Sequence, residues 1–344
     1  MSTAVAIVGA GAAGAGAAYA LRDAPATVTV FEERPVVSGR AATRRRRGCV
    51  YDHGASYVKP TDERVSALLT DVLDAEGLVD VADPVWTFDA DGEIAPGRDA
   101  DDHKWTYVEG LDRLGERLLA ATDAGVVTDT RVAELLREDG GWRLRDAHGD
   151  DLGWFDAVVC TPPAPQTADL LGAANWEHRF RRDLREAVAV VPYRTIVSAV
   201  LHYPFELARP YYALVNADKG HDLGWLAREE CKAGHVPDGE SLLIAQPSPG
   251  WSVDNYDRSD GALADAAAEK VAALLADDRL AAPDWTDVQR WRYALPDAAA
   301  DPDTLARAAA HDLYFAGDWV ASEGRIHAAL ASGLDAGERV SVAR

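Results

Sequence analysis

The sequence predicts an α/β protein with two domains, and the N-terminal residues carry the strongest evidence. Residues 5–14 have the pattern of a short buried strand that runs into a glycine-rich turn and an alanine-rich helix. Residues 28–32 have the composition of a second strand, which ends in Glu32, 23 residues after Gly9. That is the spacing expected of a ribose-binding acid. Together these features predict a Rossmann-like domain with a parallel sheet that binds a dinucleotide.

The three glycines of the turn have different tasks. Gly9 permits a tight turn, Gly11 lets the backbone approach a pyrophosphate, and Gly14 lets the helix pack close to the strand. The amides at the start of that helix, which includes Ala13, attract phosphate. The competing interpretation is a glycine-rich turn that holds no ligand, and the position of Glu32 argues against it.

Composition limits the possible functions. The chain has 344 residues, of which 48% are apolar, enough for a globular protein with one or two large cores. Its formal net charge of -22 argues against a nucleic-acid partner, because phosphate backbones require clustered Lys and Arg. Abundant Asp and scarce Lys resemble proteins of salt-loving (halophilic) archaea, whose acidic surfaces stay soluble where the screening length is about 3 Å at 1 M salt. Residues 44–47 form a basic run, which is either a solvated loop or a grip on an anionic ligand.

The cysteines and the apolar stretches predict the compartment. Cys49, Cys160 and Cys231 are odd in number and lack the spacing of a metal site, so we expect a reduced, cytoplasmic setting and no metal. The apolar N-terminus lacks the basic segment of a signal peptide. Apolar runs fall short of the roughly 20 residues of a membrane helix. We therefore expect a soluble protein without a membrane partner.

Apolar residues in the first half of the chain repeat with helical or alternating spacing. Positions 65–73 form one apolar helical face, and a second helix is expected over 111–121. Aromatic and turn residues at 80–104 suggest a short hairpin, and residues 126–144 suggest a strand and another hairpin. The first helical face contributes packing rather than chemistry, and the hairpin at 80–104 is expected to belong to a substrate lobe.

The second half of the chain predicts another sheet. A buried strand at 157–160 is followed by prolines, which stop further ladder pairing, so we expect the chain to leave the first domain near residue 165. Strand composition returns at 195–203 and 242–246, and a helix is expected over 263–275. This order predicts an α+β domain built on a mixed or antiparallel sheet.

Two segments after the second strand resemble the second signature of flavin-dependent amine oxidases, a Gly-Gly-Arg followed by a strand and an Asp-x-Gly-Ala-like turn. They are residues 34–44, which include Gly39 and Arg40, and residues 51–55. Ser38 stands in place of the first glycine. The resemblance implies that this backbone and Arg40 lie along the pyrophosphate and ribityl chain of FAD.

The C-terminal region contains a further signature of this kind. A strand at 313–316 delivers Gly317 and Asp318 to the cofactor, where the carboxylate is expected to bind a ribityl hydroxyl. The following helix is expected to point its N-terminus at the pyrimidine edge of the flavin. Its partial positive charge would favour the reduced, anionic flavin by about 0.3 to 2 kcal/mol.

Taken together, these segments resemble renalase-like members of the FAD-dependent amine oxidase superfamily over nearly the whole chain. The more particular segments are 161–166, 225–228, 251–252 and 290–294. The resemblance implies a Rossmann-like FAD-binding domain of the GR2 type and a substrate domain of the amine oxidase and p-hydroxybenzoate hydroxylase kind. The expected FAD-binding domain comprises residues 1–70, 104–168 and 285–344, and the expected substrate domain comprises residues 71–103 and 169–284.

The resemblance also implies which residues contact the cofactor. FAD is expected to be held noncovalently, because no cysteine occupies a position like that of the flavin-linked cysteine of monoamine oxidases. The expected contacts are Gly9, Gly11, Ala13, Gly14, Glu32, Glu33, Gly39, Arg40, His53, Gly54, Ala55, Val132, Thr161, Pro162, Gly317, Asp318, Arg325, Ile326 and Ala329.

The activity implied by the resemblance is oxidation of misreduced dihydro-NAD(P), the 1,2- and 1,6-dihydro isomers, to NAD(P)+, with O2 as electron acceptor and hydrogen peroxide as product. A dihydropyridine becomes aromatic when it loses hydride, without proton transfer, so the protein supplies orientation, stacking and exclusion of water. Trp225, Trp291 and Arg292 are the expected substrate-orienting residues. Tyr293 would add an aromatic wall, and Arg228 and Arg292 could meet substrate phosphates.

Departures from the pattern keep alternatives open. Residues 232–235 replace a common Lys-Pro-Gly-Arg turn, and His327 stands where glutamate is common. An amine oxidase acting on a small amine would share the FAD signatures, but it normally needs an aromatic cage and often a lysine near the flavin. A carotenoid or porphyrinogen dehydrogenase would need a long apolar tunnel, and a noncatalytic protein would bind flavin without oxidising a substrate.

Overall fold

A five-stranded parallel sheet forms the first domain of the computed structural model, which describes residues 2–97, 103–138 and 140–343. Strands and α-helices are numbered along the chain. In spatial order the sheet contains β19 (Leu313–Phe315), β13 (Ala157–Cys160), β1 (Thr3–Val8), β2 (Ala26–Phe31) and β9 (Gly125–Val127). All neighbours are parallel. The predicted Rossmann-like architecture is confirmed.

Alternate residues of β1 face two separate cores. Val5 and Ile7 pack against α1 (Ala12–Ala20), α3 (Arg113–Ala120) and α9 (Ile326–Ala343). Ala6 and Val8 pack on the opposite side, against a three-stranded antiparallel sheet and two helices. These elements are β10 (Val132–Glu138), β11 (Gly141–Asp146), β12 (Asp151–Phe155), α4 (Ala164–Ala173) and α5 (Arg179–Ala189).

Helices α1 and α9 approach closely because both carry small residues. A Cβ on Gly333 would lie 2.1 Å from the Ala13 carbonyl oxygen, and a Cβ on Gly337 would lie 2.6 Å from that of Ala17. Any larger residue at these glycines would push the helices apart. The alanine-rich composition of α1 therefore serves helix packing as well as the turn before it.

A seven-stranded mixed sheet forms the second domain. In spatial order it contains β18 (Trp285–Pro296), β14 (Tyr193–Tyr203), β17 (Ser241–Pro247), β16 (Leu223–Arg228), β15 (Ala213–Asn216), β6 (Val85–Phe88) and β7 (Ile94–Ala95). Neighbours are antiparallel except β15 and β6. Helix α7 (Asp260–Leu275) buries its apolar residues against one face of this sheet. The predicted fold class, α/β with a second α+β domain on a mixed sheet, is confirmed.

Two short strand pairs connect the large sheets. The hairpin of β3 (Thr43–Arg46) and β4 (Cys49–Asp52) packs Cys49 and Tyr51 against the face of the seven-stranded sheet opposite α7. Strands β5 (Leu78–Asp80) and β8 (Trp105–Tyr107) pair antiparallel. The remaining helices are α2 (Glu63–Ala67), α6 (Pro249–Asp254) and α8 (Pro302–Arg307), with a π-helical turn at Leu68–Val72 and 3-10 turns at Glu229–Cys231, Asp278–Ala281 and Ala308–His311.

Several expected elements differ from the structure. The helix expected over 65–73 continues past Ala67 as a π-helical turn. The hairpin expected within 80–104 is β6–β7, which turns at Gly92 with φ +83°. Residues 98–102 of the expected region lie outside the described residues. The boundary at residue 285 placed β18 in the FAD-binding domain, but β18 pairs along its length with β14 of the seven-stranded sheet. No helix among the described residues is both long enough and apolar enough to span a membrane.

Candidate active site

The glycine-rich turn after β1 leaves open space at the start of α1. Gly9 has φ +97°, and a Cβ there would lie 2.6 Å from the Thr161 hydroxyl oxygen. A Cβ on Gly14 would lie 1.9 Å from the Gly9 carbonyl oxygen, whereas Gly11 has no atom within 4 Å of the corresponding position. No side chain caps the helix N-terminus. Open space beside helix amides fits a pyrophosphate group.

Glu32 is held beside this turn. Its Oε2 accepts from the Ala10 amide at 2.8 Å, and its Oε1 accepts from the Arg34 amide at 3.0 Å. Burial raises the pKa of Glu32, although these two amides act in the opposite direction. Glu33 is exposed, so only the first of the two acids expected at this position is buried at the turn.

The second signature packs against the glycine-rich turn after β1. Ser38 has φ +78° and donates its amide to the Ala10 carbonyl at 2.8 Å, while its hydroxyl donates to the Asp112 carbonyl at 2.7 Å. A Cβ on Gly39 would lie 3.2 Å from the Gly11 Cα atom. The departure from Gly-Gly-Arg therefore leaves a serine in left-handed backbone conformation, with its side chain bonded to a neighbouring loop.

Arg40 of the second signature forms an ion pair with Asp318 of the C-terminal signature. The guanidinium donates to both Asp318 oxygens, at 2.8 and 2.9 Å, and also to the Ala294 carbonyl at 2.9 Å. Asp318 further accepts from the Trp319 amide at 3.0 Å, and the Gly317 amide donates to Ser332 Oγ at 3.1 Å. A bidentate pair fixes both side chains at one point.

His53 and Trp291 stack at the turn that follows the hairpin. Their ring centroids lie 5.5 Å apart at an interplanar angle of 13°, and Trp291 Nε1 donates to the His53 carbonyl at 3.0 Å. A Cβ on Gly54 would lie 2.1 Å from the Arg40 carbonyl oxygen and 3.1 Å from the Trp291 ring. The Ala55 amide donates to the same Arg40 carbonyl at 2.9 Å. Glycine at position 54 therefore lets the indole approach the second signature.

A row of uncharged polar side chains crosses the sheet next to this stack. Ser198 pairs with Gln289, and Trp225 pairs with Gln246. Continuing the register of β14 and β17 places Ser198 beside Gln246. Gln246 Nε2 lies 3.5 Å from the Gly54 carbonyl. Ser198 Oγ and Trp225 Nε1 are buried and have no hydrogen-bond partner among the described residues, so they are available to a ligand.

Arg292 and Arg228 do not lie on the face of the seven-stranded sheet that carries this polar row. Arg292 follows Trp291 on β18, so its side chain points to the opposite face of the strand, where it is exposed and lies 5.2 Å over the Tyr256 ring. Arg228 is buried, and its donors are used by backbone carbonyls and Glu230. The two arginines expected to meet substrate phosphates therefore lie away from the face that carries the His53–Trp291 stack.

The other expected cofactor residues lie just after β13, at the start of β10 and at the start of α9. Thr161 Oγ1 donates to the Val8 carbonyl at 2.8 Å, and the Pro162 carbonyl accepts from Trp319 Nε1 at 3.0 Å. Val132 is the buried first residue of β10. Helix α9 begins at Ile326, and the Ala329 amide donates to the Arg325 carbonyl at 3.0 Å. The Arg325 side chain is exposed.

A buried cluster of charges lies directly behind the hairpin. Lys232 Nζ is 2.7 Å from Asp52 Oδ2 and 2.9 Å from Glu229 Oε1, and the side chains of all three are fully buried. His235 Nδ1 lies 2.9 Å from Glu229 Oε2. Burial raises the pKa of Asp52. Lys232 and His235 act in the opposite direction, and the resulting pKa lies below the usual range of an aspartate. Residues 232–235 thus complete an internal ion-pair cluster rather than a substrate contact.

The basic run at 44–47 is neither a solvated loop nor a free anion site. Each arginine has a partner on a neighbouring element, which ties the hairpin to the rest of the protein. Arg44 pairs with Asp287 at 2.7 Å, Arg45 pairs with Asp112 at 3.0 Å, Arg46 lies 4.9 Å over the Trp285 ring, and Arg47 lies 3.5 Å from Asp284.

His53 is expected to make stability fall in mild acid. Burial and the charge of Arg44 lower its pKa from 6.5 to about 4. Below pH 6.5 the imidazole of His53 is therefore protonated in the unfolded chain, whereas in the native state it stays neutral until about pH 4. The free energy of unfolding therefore decreases as the pH falls from 6.5 toward 4. We expect His53→Gln to remove about 1.6 kcal/mol of the loss between pH 6.5 and pH 5.0, because the full slope of about 1.36 kcal/mol per pH unit is reached only below pH 6.5. Denaturant unfolding of the holoprotein at both pH values measures it, and equal losses in the two proteins would contradict the prediction.

Comparison with known families decides the class of the protein. Residues 7–72 match the family described as NAD(P)-binding Rossmann-like domain, and residues 87–341 match the family described as flavin containing amine oxidoreductase. The chain belongs to the flavin-containing amine oxidoreductases. It is an FAD-dependent oxidoreductase, as predicted.

The curated relatives match over one short segment. Protoporphyrinogen oxidase 2 of Arabidopsis thaliana is 38% identical over 68 residues, which are 20% of this chain and 13% of the relative. A putative flavin-containing monoamine oxidase, AofH of Mycobacterium tuberculosis, is 44% identical over 68 residues, which are 20% of this chain and 15% of the relative. This chain therefore matches less than a sixth of the length of either relative.

Solved structures resemble the whole chain. A putative protoporphyrinogen oxidase from Exiguobacterium sp. 255-15 has a TM-score of 0.80 at 17% identity and covers 100% of both chains. Cyclohexylamine oxidase from Brevibacterium oxydans IH-35A has a TM-score of 0.75 at 14% identity and covers 100% of this chain and 99% of the other. Putrescine oxidase bound to putrescine has a TM-score of 0.70 at 14% identity and covers 100% of both chains. At these identities the likeness establishes the fold alone.

Proposed function

We propose that the enzyme oxidises misreduced dihydro-NAD(P) isomers, with the dihydronicotinamide ring bound beside the His53–Trp291 stack. The observation that carries this proposal is that three buried polar atoms near this stack are uncharged and have no hydrogen-bond partner among the described residues. They are His53 Nδ1, Ser198 Oγ and Trp225 Nε1, and the lowered pKa of His53 keeps its imidazole neutral at pH 7. Such atoms suit a neutral ring that carries a carboxamide.

These side chains are suited to binding and orientation rather than to proton transfer. A dihydropyridine loses hydride without losing a proton, so no charged base is required. Trp291 offers an aromatic edge or face to the ring, and its bond to the His53 carbonyl holds the indole in one orientation. The uncharged row through Ser198 and Gln246 offers hydrogen bonds to a carboxamide. Bound FAD would supply the hydride acceptor and the route by which the electrons reach O2, with hydrogen peroxide as product.

An amine oxidase acting on a small amine is the second candidate, because three aromatic rings cluster near one end of the row. Tyr57, Tyr212 and Trp225 have centroid separations of 6.1, 6.4 and 6.5 Å, which is the kind of arrangement that surrounds an amine. Lys232 is an unsuitable flavin-side lysine in this alternative, since it is fully buried between two carboxylates.

The proposal is tested by anaerobic mixing of the yellow holoprotein, in high salt, with borohydride-reduced NAD+ that contains all three dihydro isomers. We expect the 1,2 or the 1,6 isomer to bleach the flavin absorbance rapidly, and ordinary NADH to leave it unchanged. Bleaching by small amines but not by the dihydro isomers would overturn the proposal in favour of the amine oxidase. Bleaching by neither would indicate a noncatalytic flavoprotein.

Trp291→Leu is expected to slow flavin reduction by about tenfold, because a lost aromatic contact costs about 1.4 kcal/mol. The matched control is Arg292→Leu, which changes the next residue on the same strand but faces away from the stack. Stopped-flow reduction with the active isomer measures both variants, and their FAD content is checked by absorbance. Equal slowing in both variants would contradict the placement of substrate beside Trp291.

A further inference from the structure

We propose that Cys49, His202 and Glu240 form a binding site for a divalent metal ion of the zinc type, separate from the flavin site. Their potential ligand atoms lie within 4.8 Å of one another. Cys49 is the first residue of β4, His202 lies near the end of β14, and Glu240 directly precedes β17. The fold thus brings together three ligands that are far apart in sequence, which is why no metal spacing is visible in the chain.

The donor set matches the preferences of Zn²⁺. Thiolate, imidazole nitrogen and carboxylate oxygen are its usual protein ligands, and three of them leave a fourth position for water. His202 Nε2 and Glu240 Oε2 are now 2.8 Å apart in a hydrogen bond. Zinc bonds of about 2.0–2.1 Å at a tetrahedral angle separate two such donors by about 3.3 Å. The Glu240 side chain is 35% exposed, so it is free to make this adjustment and to admit the ion from solvent.

The surroundings of His202 also favour a metal ligand. Its ring stacks on Trp285, with centroids 5.0 Å apart at an interplanar angle of 13°. Its Nδ1 is buried without a hydrogen-bond partner among the described residues and lies 3.6 Å from Asp284 Oδ2. A carboxylate behind the second ring nitrogen is the usual arrangement for a metal-bound histidine, because it fixes the tautomer that leaves Nε2 as ligand.

The charges at this site balance when a divalent cation is present. A dication compensates both a thiolate and a carboxylate, and binding then releases the thiol proton. Since β4 ends at Asp52 and is followed directly by His53, the ion would tie the hairpin that carries the second flavin signature to the seven-stranded sheet.

The test uses holoprotein from which metal has been removed by chelation, titrated with Co²⁺ as a spectroscopic probe. We expect one equivalent to produce a thiolate-to-cobalt charge-transfer band and the visible bands of tetrahedral cobalt, and one equivalent of Zn²⁺ to abolish both. Cys49→Ser is expected to lose the charge-transfer band. Cys231→Ser, which removes a thiol outside the cluster, is expected to keep it.

A second variant guards against misfolding of Cys49→Ser. Glu240→Gln changes a half-exposed side chain, and we expect it to weaken metal binding at least tenfold while the flavin spectrum and the unfolding midpoint of the metal-free protein stay unchanged. No cobalt band in the unsubstituted protein would overturn the proposal. So would a charge-transfer band that persists in Cys49→Ser or disappears in Cys231→Ser, or Co²⁺ affinity in Glu240→Gln equal to that of the unsubstituted protein.

Discussion

Lys232→Met is expected to lower the free energy of unfolding by about 3–5 kcal/mol, the cost of removing one partner from a buried ion pair. Lys232 Nζ lies 2.7 Å from Asp52 and 2.9 Å from Glu229, and none of the three side chains is exposed. Methionine has a similar length and no charge, so both carboxylates would remain buried without their cation. Denaturant unfolding of the holoprotein in high salt measures the loss.

Lys219→Met is the matched control, because it makes the same chemical change at an exposed position. We expect this variant to unfold within about 0.5 kcal/mol of the unsubstituted protein. If Lys232→Met were as stable as this control, the carboxylates of Asp52 and Glu229 could not both be charged in the native state. That result would contradict the ion-pair cluster described above.

Gly14→Ala is expected to abolish FAD binding and to destabilise the protein by about 3 kcal/mol, the upper range for an overpacked site. The added Cβ would lie 1.9 Å from the Gly9 carbonyl oxygen, which belongs to the backbone and cannot move aside as a flexible side chain can. The start of α1 must therefore shift away from the turn. Flavin absorbance of the purified variant and its unfolding curve measure the two effects.

Gly11→Ala separates cofactor binding from folding in the same turn. No atom lies within 4 Å of a Cβ at Gly11, and the residue has an ordinary φ of -72°. We expect unfolding without FAD to be unchanged and FAD affinity to fall at least tenfold, about 1.4 kcal/mol. Gly261→Ala, which also meets no atom within 4 Å, is the control that should change neither. Normal FAD affinity in Gly11→Ala would show that the pyrophosphate lies elsewhere.

The cofactor turn could be predicted from sequence because its parts are close together in the chain. Gly9 and Gly14 meet where β1 turns into α1, and Glu32 directly follows the next strand. Strand β1 pairs in parallel with β2, its neighbour in sequence as well as in space. The chemistry of this site depends on local backbone geometry, and a pattern of glycines records that geometry directly.

The substrate side could be predicted only in part. Trp291 and Arg292 are adjacent, and nothing in their composition distinguishes which one faces His53. The pairing of β18 with β14 places Trp291 against His53 and turns Arg292 toward Tyr256. A shift of one residue in a strand reverses its faces. The register of the sheet therefore determines which of the two side chains faces His53.

The sequence by itself determined the fold class, the FAD cofactor and a glycine turn suited to a pyrophosphate, since each follows from short segments whose spacing has one physical explanation. Only the tertiary structure decided that Lys232 neutralises Asp52, 180 positions away, and that Cys49 meets His202 and Glu240. Buried charges and metal ligands are selected by proximity in space. That proximity arises when the hairpin packs on the seven-stranded sheet, through contacts that no local pattern encodes.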